Sequence, residues 1–491
     1  MRRHVVTTFL LHRESHKVLL LKRSGKVSTY QGHWAAVSGG IEPQDSSPEL
    51  RALTEITEEL GLTFDQFKIT RRGKPLLVDD GDKHFKVFPF LAELCTHPSS
   101  VRLDWEHVDL SWVHIDQLTF NMDLPTVPRL VETFERVYLN PELEAALKSI
   151  QEDRRMGARE MALFCLNVLQ GQLETVSPWI DQLAFRHCLN SAWHMSVCRP
   201  AMAASIVSAL GGALSEMESL LREPIGPISK LQMQEVVREY ESRLISKAEN
   251  IVKSAADHIL NLTQQSSKPL TLFTLSRSST VVSVIRQLAH FKSLHVVVAE
   301  SRPLCEGAQM AQDVAKDLID VKWTVITEAQ IPSTFQRLNA SDSCLTLLGC
   351  DSIYLDSCLP EKSFISNKVG SWIIVSFSKR FSVPVLFLAD QGKVISQAVN
   401  TYLDWPLVDH TLEEENSTTE LRLFDASGRL KFDLSADNIQ ETNAYFDKIP
   451  FGDLSNAAWA NDEGVDDISL ETLKRVWEHK SRCFESFTKL S

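Results

Sequence analysis

The sequence predicts an α/β protein in three parts, and three patterns carry that prediction. Residues 1–142 hold short strand-like runs around one acidic helix. Residues 143–265 turn to long helical periodicity, and residues 266–491 alternate β-rich apolar runs with helical ones. The last alternation implies parallel βαβ units and a Rossmann-like, doubly wound sheet. A chain of 491 residues should hold two or three domains.

In the first part, Lys17–Arg23 (KVLLLKR) reads as a strand, 32–40 as a strand running into a glycine turn, and 86–94 as another strand. Ser111-Trp112-Val113 follows Trp105-Glu106-His107. Between them lies the acidic helix. Ser46 and Ser47 are good N-caps, Pro48 suits the first helical position, and Glu49 completes a capping box with Ser46. At about 100° per residue, Leu50, Leu53, Ile56 and Leu60 share one face, with Glu55, Glu58 and Glu59 roughly opposite. Three like charges at neighbouring helical positions repel. A hard divalent cation, which takes oxygen ligands and bridges to phosphates, would balance them; a solvated acidic face is the plainer alternative.

This order of elements resembles the Nudix hydrolases, whose box runs Gly, five residues, Glu, seven residues, then Arg-Glu-apolar-x-Glu-Glu-x-Gly-apolar. The resemblance covers roughly residues 3–140 and ends in Thr54-Glu55-Ile56-Thr57-Glu58-Glu59-Leu60-Gly61-Leu62. It implies an α/β/α fold, Mg²⁺ or Mn²⁺ on Glu55, Glu58 and Glu59, and hydrolysis of a nucleoside diphosphate linked to another group. Two positions depart from the box. Ser46 stands where the first Glu belongs, unless a small indel lets Asp45 serve, and Thr54 replaces the Arg. A guanidinium is not replaceable by a hydroxyl, and Arg51 is a candidate to compensate in part.

Further on, 160–169, 199–221 and 231–262 read as helices, and the polar run 263–269 ends the helical region. Strands are expected at Leu270–Leu275, Leu294–Ala299, 322–327, Ser343–Gly349, 371–376 and 383–388, and an acidic loop at 411–420. Ligands of an open parallel sheet sit beyond the carboxyl ends of its strands. There stand Ser276, Ser278, Ser279 and Thr280, then Arg302, then Asp351, with Asn367 and Lys368 before the fifth strand. Hydroxyls and free amides at a helix start suit phosphate, although simple capping accounts for the same residues. An Arg302–Glu300 ion pair or a turn at Asn367 and Lys368 are comparable alternatives.

These strings, in this order, resemble the alpha, beta and delta subunits of translation initiation factor 2B. That family also includes isomerases of ribose 1,5-bisphosphate and methylthioribose 1-phosphate. Arg155-Met156-Gly157-Ala158 and Cys198-Arg199-Pro200-Ala201 look like its two N-terminal phosphate-contacting motifs. The likeness covers about residues 150–400; beyond it the family's Pro-rich C-terminal segment is not recognisable. It implies that Arg199, Arg302 and Lys368 neutralise a phosphate, that Asn367 holds a sugar hydroxyl, and that the module self-associates. The isomerase branch has a Cys where this chain has Ser276, paired with an Asp matched by Asp351. The missing thiol implies binding without isomerisation, unless Cys305 or Cys350 takes over.

Composition narrows the partners. A net charge of −13 gives no footprint for nucleic acid or an anionic membrane. No run approaches the length of about 18 apolar residues that a membrane span needs. Nine cysteines without a Cys-x-x-Cys pair suit a reducing compartment, so a cytosolic protein is expected. The expected function is a metal-dependent Nudix pyrophosphohydrolase joined to a module that binds small phosphorylated ligands. Glu55 or Glu106 would accept the proton of the attacking water. The alternatives are a non-catalytic regulator with a degenerate Nudix domain, and an aldose–ketose isomerase.

Overall fold

The computed structural model describes residues 2–120, 124–175, 179–222, 228–264, 268–302, 304–338, 343–406 and 444–490. The chain forms two compact units, Met1–Lys148 with Phe487–Ser491, and Ser149–Ser486. The predicted loop at 411–420 lies outside the described residues.

The first unit is built on β1 (Arg3–His12), β2 (Lys17–Arg23), β3 (Trp34–Ala35), β4 (Val37–Gly40), α1 (Pro48–Leu60), β5 (Phe67–Arg72), β6 (Leu76–Asp80), β7 (Lys83–Leu94) and β8 (His107–His114). Three helices follow: α2 (Ile115–Phe120), α3 (Leu130–Glu135) and α4 (Pro141–Glu152). β1 runs parallel to β7 and antiparallel to β2 and β4. The single strand expected over 32–40 is instead two short ones. β3 pairs with β2, and after Ala36 the chain changes partner, so that β4 pairs with β1. That switch brings Ser38, Gly39 and Gly40 beside α1.

The start of α1 lies one residue later than the capping-box reading requires. Ser47, not Ser46, is the N-cap, its Oγ accepting from Leu50 N at 3.1 Å, with Pro48 first in the helix. Gly61 at φ 63 ends it, as a left-handed C-cap requires. The buried arc is also rotated from expectation. Ala52, Glu55, Ile56, Glu59 and Leu60 are buried, a spacing of i, i+3, i+4, i+7, i+8, while Leu50 is 45% exposed. Glu55 and Glu59 therefore lie against the sheet, and of the three acids only Glu58 faces out.

The second unit opens with helices: α5 (Ala158–Glu174), α6 (Gln182–Cys198), α7 (Ala203–Arg222) and α8 (Lys230–Leu262), with β9 (Trp179–Ile180) and β10 (Ile228–Ser229) forming a small ribbon. The helix expected over 199–221 begins later. Arg199 leaves helical geometry at φ −138 and ψ 84, and Pro200–Met202 makes a tight turn before α7, as a proline's missing N–H favours.

A sheet follows from β11 (Leu270–Leu275), α9 (Ser279–Ala289), β12 (Leu294–Ala299), α10 (Glu306–Val314), β13 (Lys322–Ile326), α11 (Ile331–Gln336), β14 (Ser343–Gly349) and β17 (Val385–Leu388). Its order is β13-β12-β11-β14-β17, every pair parallel. The strands fan out in opposite directions from a switch point between β11 and β14, the place where such sheets bind ligands. A second sheet, which the sequence did not announce, pairs β15 (Ser352–Leu355), β16 (Phe364–Lys368) and β18 (Val394–Ser396) with β19 (Phe446–Pro450). Asn367 and Lys368 thus lie inside a strand and not in a turn. Residues 371–376, expected as a strand, begin α12 (Ser371–Arg380). Ile374, Val375 and Ser378 are buried, and Trp372 and Ile373 are exposed, which is a helical period. Asp447 caps this helix, accepting from Gly370 N and Trp372 N at 2.9 Å each. Finally β20 (Ala457–Ala460) adds to the main sheet parallel to β17, and β21 (Val465–Asp467) closes it antiparallel. No single described helix is long and apolar enough to cross a membrane.

Candidate functional site

In the first unit the end of β4, the buried arc of α1 and the segment before β8 enclose a cavity of about 740 Å³. All three predicted acids line it, and the structure brings them together. Glu55 is fixed by Arg51, whose Nε donates to Oε1 at 2.7 Å and whose Nη2 donates to the same oxygen. The same guanidinium reaches Glu58 Oε2 at 3.5 Å. Gly39 makes room for this pair, since a Cβ there would fall 1.3 Å from Glu55 Oε1. Any larger residue at 39 would displace the Glu55 carboxylate.

Glu59 is the most buried of the acids, 2% exposed. Its Oε1 accepts from Ser38 N at 3.1 Å. Its Oε2 makes no hydrogen bond among the described residues and faces His107 Nε2, likewise unbonded, at 3.6 Å. His107 Nδ1 sits 3.1 Å from Asp104 Oδ1. Burial pushes the Glu59 carboxyl well above the usual carboxylate range, and the charges of Glu55, Glu106 and Asp104 add to the rise. Burial raises Glu55 too, against the opposing pull of Arg51. Glu106 rises through burial and the neighbouring Asp104, while burial lowers His107. An acidic cluster this costly in isolation calls for a cation.

The donor set is of carboxylate oxygens, which suits Mg²⁺ or Mn²⁺, and Glu59 Oε2 makes no hydrogen bond among the described residues. Among the described residues no three His, Cys, Asp or Glu side chains are arranged as a ligand set; here Arg51 is the cation that Glu55 and Glu58 hold. The side chains at or beside the two departures from the box make local bonds. Thr54 turns its hydroxyl back to Leu50 O at 3.0 Å. Asp45 gives an oxygen to the Glu42 amide at 2.7 Å, closing the turn before α1. The sequence reading named Arg51 but did not place it; the signal was its i,i+4 spacing to Glu55. It missed Arg3, Arg23 and Lys26, which add positive charge to the cavity wall, and Val5, Val78, Phe85, Val87, Pro128 and Leu130, which line it with apolar surface.

In the second unit the loops at the switch point meet. A Cβ on Gly349 would lie 3.2 Å from Ser278 Oγ and 4.0 Å from Asn367 Oδ1. Ser278 is the N-cap of α9, Thr280 is half-buried in its first turn, and Ser279 Oγ accepts from Arg159 at 3.2 Å. Ser276 sits at φ 60, its amide donating to Ser301 Oγ at 2.5 Å. Asn367 Nδ2 donates to Ser371 Oγ at 2.8 Å. Lys368 is already paired, its Nζ donating to Glu306 Oε1 at 2.8 Å and lying 4.5 Å from the centre of the Tyr445 ring.

The remaining predicted positions are more dispersed. Arg155 is exposed, and it is Arg154 whose guanidinium lies 5.8 Å from the Tyr445 ring centre. Gly157 caps α5 and Ala158 opens it. Arg199 is buried at the break between α6 and α7. Arg302 is half-buried and, among the described residues, forms no ion pair with Glu300. The Asp351 amide donates to Ser366 O at 3.0 Å. Of the candidate thiols, Cys350 is buried, with its Sγ 3.4 Å from Ser352 O, and burial pushes its pKa far up.

Comparison with known proteins fits both units. In fold, the chain is similar to translation initiation factor eIF-2B from Pyrococcus horikoshii OT3, at 17% identity over 68% of this chain and 99% of that one, with a TM-score of 0.49. It is similar to 5-methylthioribose 1-phosphate isomerase from the same organism, at 15% identity over 69% and 88% of the two chains, TM-score 0.49. A third similar structure is the tetrameric eIF2B-beta2-delta2 complex from C. thermophilum, at 13% identity over 72% and 100%, TM-score 0.47. Residues 1–137 match the NUDIX domain. Residues 154–450 match the Initiation factor 2 subunit family, fifty residues beyond the limit read from the sequence. With more than half of its length in that match, the chain belongs to the Initiation factor 2 subunit family and carries a NUDIX domain ahead of the family region.

Proposed function

We propose that the first unit is a divalent-cation-dependent pyrophosphohydrolase of a nucleoside diphosphate derivative. The observation that carries this reading is Glu59: a buried carboxylate held at Oε1 by the Ser38 amide, with Oε2 unpartnered, in a cavity shared with Glu55 and Glu58. Nudix hydrolases generally use Mg²⁺ or Mn²⁺; bound here by Glu58 and Glu59, such a cation would neutralise pyrophosphate oxygens and make water a better nucleophile. Arg3, Arg23 and Lys26 add fixed positive charge for the diphosphate, and the apolar wall receives the rest of the substrate. Glu106 lines the same cavity with its carboxyl uncommitted among the described residues, and burial and Asp104 raise its pKa, which makes it a stronger proton acceptor. A panel of nucleoside diphosphate derivatives incubated with Mg²⁺ or Mn²⁺ should show hydrolysis of at least one member, stopped by chelation. Inertness of the whole panel with both metals would favour a non-catalytic regulator, the reading supported by the missing box Arg and Glu.

For the second unit we propose binding of a sugar phosphate or nucleoside monophosphate without isomerisation. Ser276 carries an alcohol where the isomerase branch has a thiol, its amide is tied to Ser301, and the nearby Cys350 thiol is buried and hard to ionise. The expected result is that ribose 1,5-bisphosphate is not converted to its ketose by the full chain. Turnover that disappears in Asp351→Asn would overturn this.

A further inference from the structure

We propose that Arg51 is a built-in cation of the acidic cluster, holding Glu55 in place and competing with a divalent cation for the box carboxylates. The inference rests on the hydrolase reading of this cavity and adds a role for a residue at one of the box's unspecified positions. Three observations carry it. The box position that should bear a cation is Thr54, and its hydroxyl is spent on its own helix. Arg51, one turn earlier, places two N–H groups on a single Glu55 oxygen and lies 3.5 Å from Glu58. And Glu59 keeps a buried oxygen that makes no hydrogen bond among the described residues, so the cluster is only partly neutralised.

The guanidinium therefore does two things at once. It preorganises Glu55, which sits in the space that Gly39 leaves open, and it holds positive charge directly on the carboxylates that a metal ion would use. Two cations a few ångströms apart repel, the more strongly the lower the local dielectric. Removing Arg51 should accordingly tighten metal binding while slowing turnover. A loss of fold would weaken both, so the opposite signs separate a positioning residue from a merely structural one.

The experiment is Mn²⁺ titration followed by electron paramagnetic resonance on the full chain, with thermal melts of each variant alongside. Arg51→Met is expected to bind Mn²⁺ about tenfold tighter than wild type, with slower hydrolysis. Adding Thr54→Arg, which stands i,i+4 to Glu58, should weaken Mn²⁺ binding again and recover part of the rate. Arg51→Lys keeps a charge on a more flexible stem and should fall between, which preserves the test should the Met variant melt early. Unchanged or weaker Mn²⁺ binding in Arg51→Met, with wild type binding normally, overturns the role of Arg51 alone. Absence of Mn²⁺ binding in wild type and all variants overturns the metal reading and this inference with it.

Discussion

Glu59→Gln is expected to lower kcat/KM by at least about a hundredfold and to leave the protein folded. The size follows from position: altering groups that only support metal ligands costs about 10–100-fold, and Glu59 itself lines the cavity. Glutamine keeps the shape. Its carbonyl can still accept the Ser38 amide, and its NH₂ would point toward His107 Nε2, which has no donor among the described residues. Stability should then move the other way. The folded-state pKa of Glu59 is raised well above 4.5, so between its ordinary value and the raised one the folded chain holds more protons than the unfolded chain. Wild-type stability therefore falls as pH rises through that window. Glu59→Gln lacks this cost, so its Tm should exceed wild type at neutral pH, with the gap closing toward pH 4.5. Calorimetry across pH 4.5 to 8 and steady-state kinetics check both halves. Undiminished turnover would remove Glu59 from the chemistry.

What could be read from the sequence depended on whether the signal was local. The strands Lys17–Arg23, Leu270–Leu275, Leu294–Ala299 and Ser343–Gly349 were found with their bounds, because buried strands are continuous apolar runs closed by polar residues. The acidic helix was found too, but its rotation was not. Counting leucines put Leu50 inward and the acids outward; packing against β1 and β4 leaves Leu50 and Glu58 exposed and buries Glu55 and Glu59, because a carboxylate can be buried where a backbone amide or an arginine meets it. Residues 371–376 show the same limit. Trp-Ile-Ile-Val has β propensity, yet Gly370 at φ 99 and the distant Asp447 start a helix there. The pairing of Lys368 with Glu306 and Tyr445 likewise joins residues far apart in sequence, and no spacing rule reports such meetings.

The C-terminal segment, unreadable by motif, should prove integral to the second unit, and Trp459 is where that can be measured. It lies on β20, fully buried, opposite Phe387 in the parallel pairing with β17, and its Nε1 donates to Ala389 O at 2.7 Å. Trp459→Ala would open a cavity costing about 3–5 kcal/mol and strip Ala389 of its partner, costing about 1 kcal/mol more. In a unit of this size the transition should drop by roughly 5–10 °C. Trp459→Phe separates the two terms: it keeps most of the volume and loses the indole N–H, so its loss should be a minor fraction of the alanine loss. β20 also carries β21 on its free edge. Loosening at Trp459 should therefore spread outward, raising amide exchange at Val465–Asp467 before exchange rises in β11 or β12. A Trp459→Ala protein that melts with wild type would mean that the strand is an appendage. The burial of the indole and its bond to the neighbouring strand argue that the sheet ends at β21 and not at β17.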